Sequence, residues 1–130
     1  MYCNGQSNAD ISKVEAKTDT LYISMNDKLL FDVEVDSNNH LSFKKAGAKS
    51  SEAKTISITL TFSEGIGTLL KIQNPFSKVL SYKAELYGYK KKDYLETSTI
   101  PIEPNLSSFE TWPYRIDKMR LSGFILKSAD

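Results

Sequence analysis

Few side chains in this chain could do chemistry, and their spacing decides most of the cases. There is one histidine, His40, and one cysteine, Cys3. One imidazole cannot build a three-histidine metal site, and a Ser-His-Asp triad would have to use this residue. Strand register, derived below, places Asp36 opposite His40, so an Asp–His pair can be drawn. Both sit at a hairpin tip on a polar face where nothing excludes water, and the expectation is an exposed turn histidine. Cys3 lies in a polar N-terminal segment, which argues against a Cys–His thiol centre. Asp32, Glu34 and Asp36 form an acidic row, and Asp36-Ser37-Asn38-Asn39-His40 has the look of the start of a calcium loop. The helix–loop–helix calcium site needs glycine at its sixth position and glutamate at its twelfth. Here those positions hold Leu41 and Gly47. The motif is rejected, a looser calcium site is the minor alternative, and the row reads as a solvated strand face paired with lysines such as Lys44. Gly65-Ile66-Gly67 is too short for a phosphate loop and no Lys-Ser pair follows it, so it reads as a turn. Lys90-Lys91-Lys92 reads as a solubilised hairpin tip that blunts an edge. No catalytic residue, metal site or cofactor is expected.

The surface with functional promise is aromatic. On the strand 82–89, Tyr82, Ala84, Leu86 and Gly88 share one face, while Tyr87 and Tyr89 share the other with Lys83 and Glu85. Tyr94 is their expected cross-strand neighbour. Tyrosines interleaved with charges on an outward face can stack on sugars or anchor a protein partner. Tyr87, Tyr89 and Tyr94 are therefore the candidate binding residues. The competing expectation is that segment 101–116 covers this face with Phe109, Trp112 and Tyr114.

The elements that position these residues are strands. Thr55 to Phe62 alternates without a fault: Ile56, Ile58, Leu60 and Phe62 face one way, and four threonines or serines face the other. Residues 29–36 repeat the pattern, with Leu29, Phe31, Val33 and Val35 on one side and the three carboxylates on the other. Strands with one buried and one wet face are those of antiparallel sheets. Further strands are expected at 21–25, 41–44, 70–73, 82–89, 94–99 and 119–127. Asn26-Asp27, Ser37-Asn38-Asn39 and Ser63 to Gly67 supply turns, and Pro75 stops a ladder. Parity fixes one register: Val35 shares a face with Leu41 and Val33 with Phe43, across a three-residue loop in which Asn39 is left-handed. Residues 106–116 are expected to form an irregular or short helical corner. The predicted core is Phe31, Val33, Ile56, Ile58, Leu60, Ile72, Leu86 and Leu121.

Eight short strands with no convincing helix predict an all-β fold, an immunoglobulin-like antiparallel β-sandwich of about 7–8 strands. The polar outward faces and the absence of repeated glycine corners argue for a sandwich over a barrel. At 130 residues the chain is expected to hold one domain, 19–130, behind a flexible polar tether, 1–18. With 17 basic against 16 acidic residues, nothing in the charge balance calls for nucleic acid or an anionic membrane surface. No apolar stretch approaches the roughly 20 residues of a membrane span. A single cysteine excludes an internal disulfide.

Two resemblances bear on function. Cys3-Asn4-Gly5-Gln6-Ser7-Asn8-Ala9-Asp10 resembles the mature start of a bacterial lipoprotein, with Met1-Tyr2 as the remnant of a signal region or an expression start. That implies a lipid-modified Cys3, a polar tether and a folded domain held at the cell envelope on its periplasmic side. Leu69-Leu70-Lys71-Ile72-Gln73-Asn74-Pro75-Phe76, followed by Leu80-Ser81-Tyr82-Lys83-Ala84, resembles the strand, Asn-Pro turn and return strand of the water-stress and hypersensitive-response type of β-sandwich domain. That resemblance implies a fibronectin-like sandwich without known catalytic residues. The functional expectation is a non-enzymatic cell-envelope protein that acts by protein–protein contact or in assembly. The alternative is a carbohydrate-binding module built on the tyrosines. Nucleic acid is not an expected partner, and membrane contact is expected only through a lipid anchor on Cys3.

Overall fold

The computed structural model describes residues 18–45, 54–87 and 93–128. Nine strands run through them: β1 (Leu21–Ser24), β2 (Lys28–Val35), β3 (Leu41–Lys45), β4 (Lys54–Ser63), β5 (Gly67–Gln73), β6 (Val79–Tyr87), β7 (Tyr94–Thr97), β8 (Ser107–Trp112) and β9 (Lys118–Lys127). They form two antiparallel sheets, one in the order β1-β9-β6-β7 and the other in the order β3-β2-β4-β5-β8. The molecule is an all-β sandwich, and among the described residues there is no helix.

The alternating patterns account for the layers. Ile56, Ile58 and Leu60 of β4 are wholly buried, as are Leu70 and Ile72 of β5. They meet Leu21 and Ile23 of β1, Leu80 and Ala84 of β6, and Met119 and Leu121 of β9 from the facing sheet. An aromatic chain crosses the core. Tyr82 stacks on Phe124 at 5.5 Å between ring centres, Phe124 meets Phe43 edge-on at 4.8 Å, and Phe43 meets Phe31 at 5.9 Å. Six of the eight predicted core residues are buried, and Phe31 and Leu86 pack partly covered against the same cluster.

The β2–β3 hairpin has the register that parity requires, with Val33 opposite Phe43, Val35 opposite Leu41 and Asp32 opposite Lys44. Asn39 takes the left-handed conformation at φ 67°. Two details differ from the expectation. Val35 is 40% exposed, because it borders an open hollow between the hairpin and the end of β9. Asp32 is buried although it points outward. It sits in the interior of the sheet, with Lys44 on one side and Thr55 on the other, whereas Glu34 and Asp36 lie towards the open hairpin tip and are exposed.

The largest correction concerns residues 106–116. Ser107–Trp112 is not a helical corner but β8, the edge strand beside β5, with Leu70 opposite Glu110 and Thr68 opposite Trp112. Its inward side chains Ser108 and Glu110 are polar, so the apolar alternation that marks the other strands is missing. Thr68 binds the chain that follows β8: its hydroxyl donates to the Tyr114 carbonyl at 2.7 Å and accepts from the Ile116 N–H at 2.9 Å. Near the start of the described residues, Thr18 exchanges two backbone hydrogen bonds with Phe43. Residues 1–17, which hold the rest of the expected tether, lie outside the described residues.

One strand changes parity. Met119 and Leu121 point inward on β9, and so do Phe124 and Leu126. The register shifts between Ser122 and Ile125, so that one extra residue is accommodated. Gly123 supplies it at φ 64°, a conformation that a side chain disfavours.

Asn74 anchors the turn between β5 and β6. Its amide nitrogen lies 2.9, 3.0 and 3.1 Å from the carbonyls of Lys78, Ile102 and Glu103, and its Oδ1 accepts from the Phe76 N–H at 2.9 Å. This buried side chain replaces the ladder that Pro75 cannot continue, and it ties the 102–103 segment to the sandwich. Asn74→Ala should therefore lower the unfolding free energy by at least the roughly 1–3 kcal/mol of an orphaned buried polar group. Urea unfolding reads this directly, and a loss below about 0.5 kcal/mol would remove Asn74 from that role.

Candidate functional site: the outer face of the four-stranded sheet

The parity that buries Leu21, Ile23, Ala84, Met119 and Leu121 sends their neighbours outward. Tyr22 of β1 pairs with Arg120 of β9, Arg120 with Glu85 of β6, and Glu85 with Glu96 of β7. One step along the strands, Tyr87 pairs with Tyr94. Residues from four strands thus share one outward face.

Arg120 is its centre. Its Nε and Nη2 donate to the two Glu85 carboxylate oxygens at 2.8 and 2.9 Å, a bidentate pair. Its guanidinium lies 4.4 Å from the centre of the Tyr94 ring. The Lys118 ammonium lies 4.5 Å from the centre of the Tyr87 ring. Tyr94 meets Tyr87 edge-on at 5.3 Å and Tyr22 at 6.2 Å, with interplanar angles of 71° and 66°. Hydrogen bonding from Arg120 holds the Glu85 carboxyl below the usual glutamate range, against the opposing effect of desolvation. The same pair raises the Arg120 pKa above its ordinary value, and the Tyr22 hydroxyl adds to it. Each cation lies over an aromatic ring, within the range of cation–π attraction.

The segment 101–116 does not cover this face. Trp112 turns into the core, where its Nε1 donates to the Thr97 hydroxyl at 3.4 Å. Phe109 lies on β8 in the other sheet, beside Lys71, and is 60% exposed. Tyr114 is also exposed. Tyr87 and Tyr94 are half-buried, and Tyr22 is 60% exposed.

The other sequence candidates are dispersed. Asp36 and His40 do meet across the hairpin, but through the backbone: Asp36 Oδ1 accepts from the N–H of His40 and of Asn38 at 3.0 and 2.8 Å. Those two bonds lower the Asp36 pKa, and the imidazole contributes least. Among the described residues no three His, Cys, Asp or Glu side chains come together as a metal-binding group. No helix there is long and apolar enough to cross a membrane. Cys3, Tyr89 and Lys90 to Lys92 lie outside the described residues.

Tyr22, Lys118 and Arg120 belong to the face but were not among the sequence candidates. Tyr22 alternates with Leu21 and Ile23, which was the available signal. The cations sit in the strand most distant in sequence, and their approach to the tyrosines depends on β9 lying between β1 and β6. No family model, curated protein or solved structure matches the chain.

The Glu85–Arg120 pair has a consequence for pH. A carboxyl whose folded pKa is depressed stabilises the fold above its unfolded pKa, and that contribution is lost as pH falls through the folded value. Stability should therefore fall as pH drops below the ordinary glutamate value of 4.5. Glu85→Gln should lose less stability over that interval than the parent protein. Urea midpoints measured from pH 6 to 2.5 test this, and parallel curves for the two proteins would contradict it.

Proposed function

We propose that this protein is a non-enzymatic cell-envelope β-sandwich that acts by binding another protein through the outer face of its four-stranded sheet. Tyr22, Tyr87 and Tyr94 with Lys118 and Arg120 are the contact residues of this reading; Tyr89, the third tyrosine expected from the sequence, lies outside the described residues. The observation that carries it is the packing of two cations over tyrosine rings on a sheet face that segment 101–116 leaves open. Tyrosine and arginine recur as interface anchors because they offer large contact areas. Here the rings and the guanidinium are also held in place before any partner arrives, which reduces the ordering cost of binding.

The geometry favours protein contact over carbohydrate. Sugar stacking uses an open, flat aromatic face. These rings stand at 66–71° to one another, and two of them carry a cation on one face. The lipoprotein part of the proposal rests on the resemblance around Cys3: a lipid there would hold the domain at the envelope and limit its search for a partner to that surface.

Affinity capture from the native envelope with chemical crosslinking tests the contact. A protein retained by the parent chain should be lost with Lys118→Glu and with Tyr94→Ser, while both variants stay within about 1 kcal/mol of the parent's unfolding free energy. Equal retention by all three would overturn the site. Mass spectrometry of the protein from its native host should show a diacylglycerol-modified Cys3, and an unmodified Cys3 there would refute the anchor.

A further inference from the structure

A concave site lies at the other end of the sandwich, where the β2–β3 hairpin, the β5–β6 turn and the end of β9 converge. Its volume is about 250 Å³, somewhat below the roughly 300–1,000 Å³ of drug-sized pockets, and it suits a molecule of amino-acid size. Val35, Pro75, Phe76 and Leu126 form its apolar wall, and Lys54 and Lys78 stand among its polar residues. Among the described residues no aspartate or glutamate lines it, although the chain carries 16 acidic residues against 17 basic ones. Among the described residues the Lys78 ammonium is paired with no carboxylate, and it donates to the neutral Asn39 Oδ1 at 3.4 Å.

Two observations argue that this hollow is built. Val35 belongs by alternation to the core face of β2, yet it is 40% exposed and forms part of this wall. The walls are also fixed from behind. Asn39 and Asn105 border the pocket in left-handed conformations, at φ 67° and 61°. The Asn39 carbonyl accepts from the Leu126 N–H at 2.9 Å, and the Phe76 carbonyl accepts from the Asn105 N–H at 3.0 Å. Asn74 holds Phe76 and Lys78 at the same turn. The shape is therefore largely set before a ligand enters.

We propose that this pocket binds a small carboxylate with an apolar body. The body lies against Val35 and Phe76, and the carboxylate is neutralised by Lys54 and Lys78. The lysines supply the attraction for an anion, and the apolar wall selects a carboxylate attached to hydrocarbon over a bare inorganic anion. The site is separate from the tyrosine face: Arg120 and Leu126 are six positions apart on β9, roughly 20 Å at strand rise. The ligand can be a free acid or the C-terminal end of a peptide, since both present the same group.

Backbone-amide NMR titrations with phenylacetate and with its neutral counterpart phenylacetamide test this. Phenylacetate should give saturable shifts at Val35, Asn39, Phe76, Lys78 and Leu126. Binding should be at least tenfold weaker for phenylacetamide, and at least tenfold weaker for phenylacetate with the Lys54→Gln/Lys78→Gln double variant. A parallel titration with acetyl-Gly-Gly-Phe and its C-terminal amide separates the sources. Binding of the free-acid peptide assigns the site to a chain terminus, and binding of phenylacetate alone assigns it to a free acid. Absence of saturable shifts with either acid, equal binding of acid and amide, or an unchanged double variant would overturn the proposal.

Discussion

The constraint on which this molecule depends is that a strand shows alternate side chains to opposite sides. Once Ile56, Ile58, Leu60 and Ile72 are committed to the interior, the facing sheet must supply Leu21, Ile23, Ala84, Met119 and Leu121 against them. Every residue between those positions is then sent outward. The tyrosines and cations of the four-stranded sheet are neighbours because their alternates share a core. The outward face is thus a by-product of the inward packing in its position, though not in its chemistry. Serines and threonines would satisfy the same geometry, as Thr55, Ser57, Thr59 and Thr61 do on the other sheet.

Where strict alternation would fail, single residues correct it. Gly123 inserts one residue into β9, so that Phe124 re-enters the core and bridges Tyr82 to Phe43. Asn74 replaces the lost ladder at Pro75 with a side chain that is buried and fully engaged. Both residues act at the end of the sandwich away from Arg120. They set the turn, the aromatic chain and the walls of the pocket lined by Phe76 and Leu126. The tyrosine face depends instead on β9 before the bulge, where pairing with β1 and β6 is regular.

Much of this was legible in the sequence because the signal was local. The hairpin register followed from the parity of Val33, Val35, Leu41 and Phe43, and the Tyr87–Tyr94 pairing from two adjacent strands. β8 was not legible, since an edge strand with Ser108 and Glu110 on its inner face has no apolar period to read. Trp112 is the one large apolar side chain on that inner face, too little to make a period. Tyr22, Lys118 and Arg120 could not be joined to the tyrosines by any short-range pattern. Their meeting is fixed by sheet order, which brings the last strand between the first and the sixth. The burial of Asp32 was missed for a related reason: alternation gives the direction of a side chain but not how far its neighbours on both flanking strands enclose it.

The central claim is that the tyrosine–cation face is occupied when the protein is at work. Hydroxyl-radical footprinting compares aromatic side-chain oxidation in the native host cell with that of the purified protein. The account predicts strong protection of Tyr22 and Tyr94 in the cell, with Tyr114 and Phe109 labelled alike in both settings. Equal labelling of Tyr22 in the two settings would contradict it.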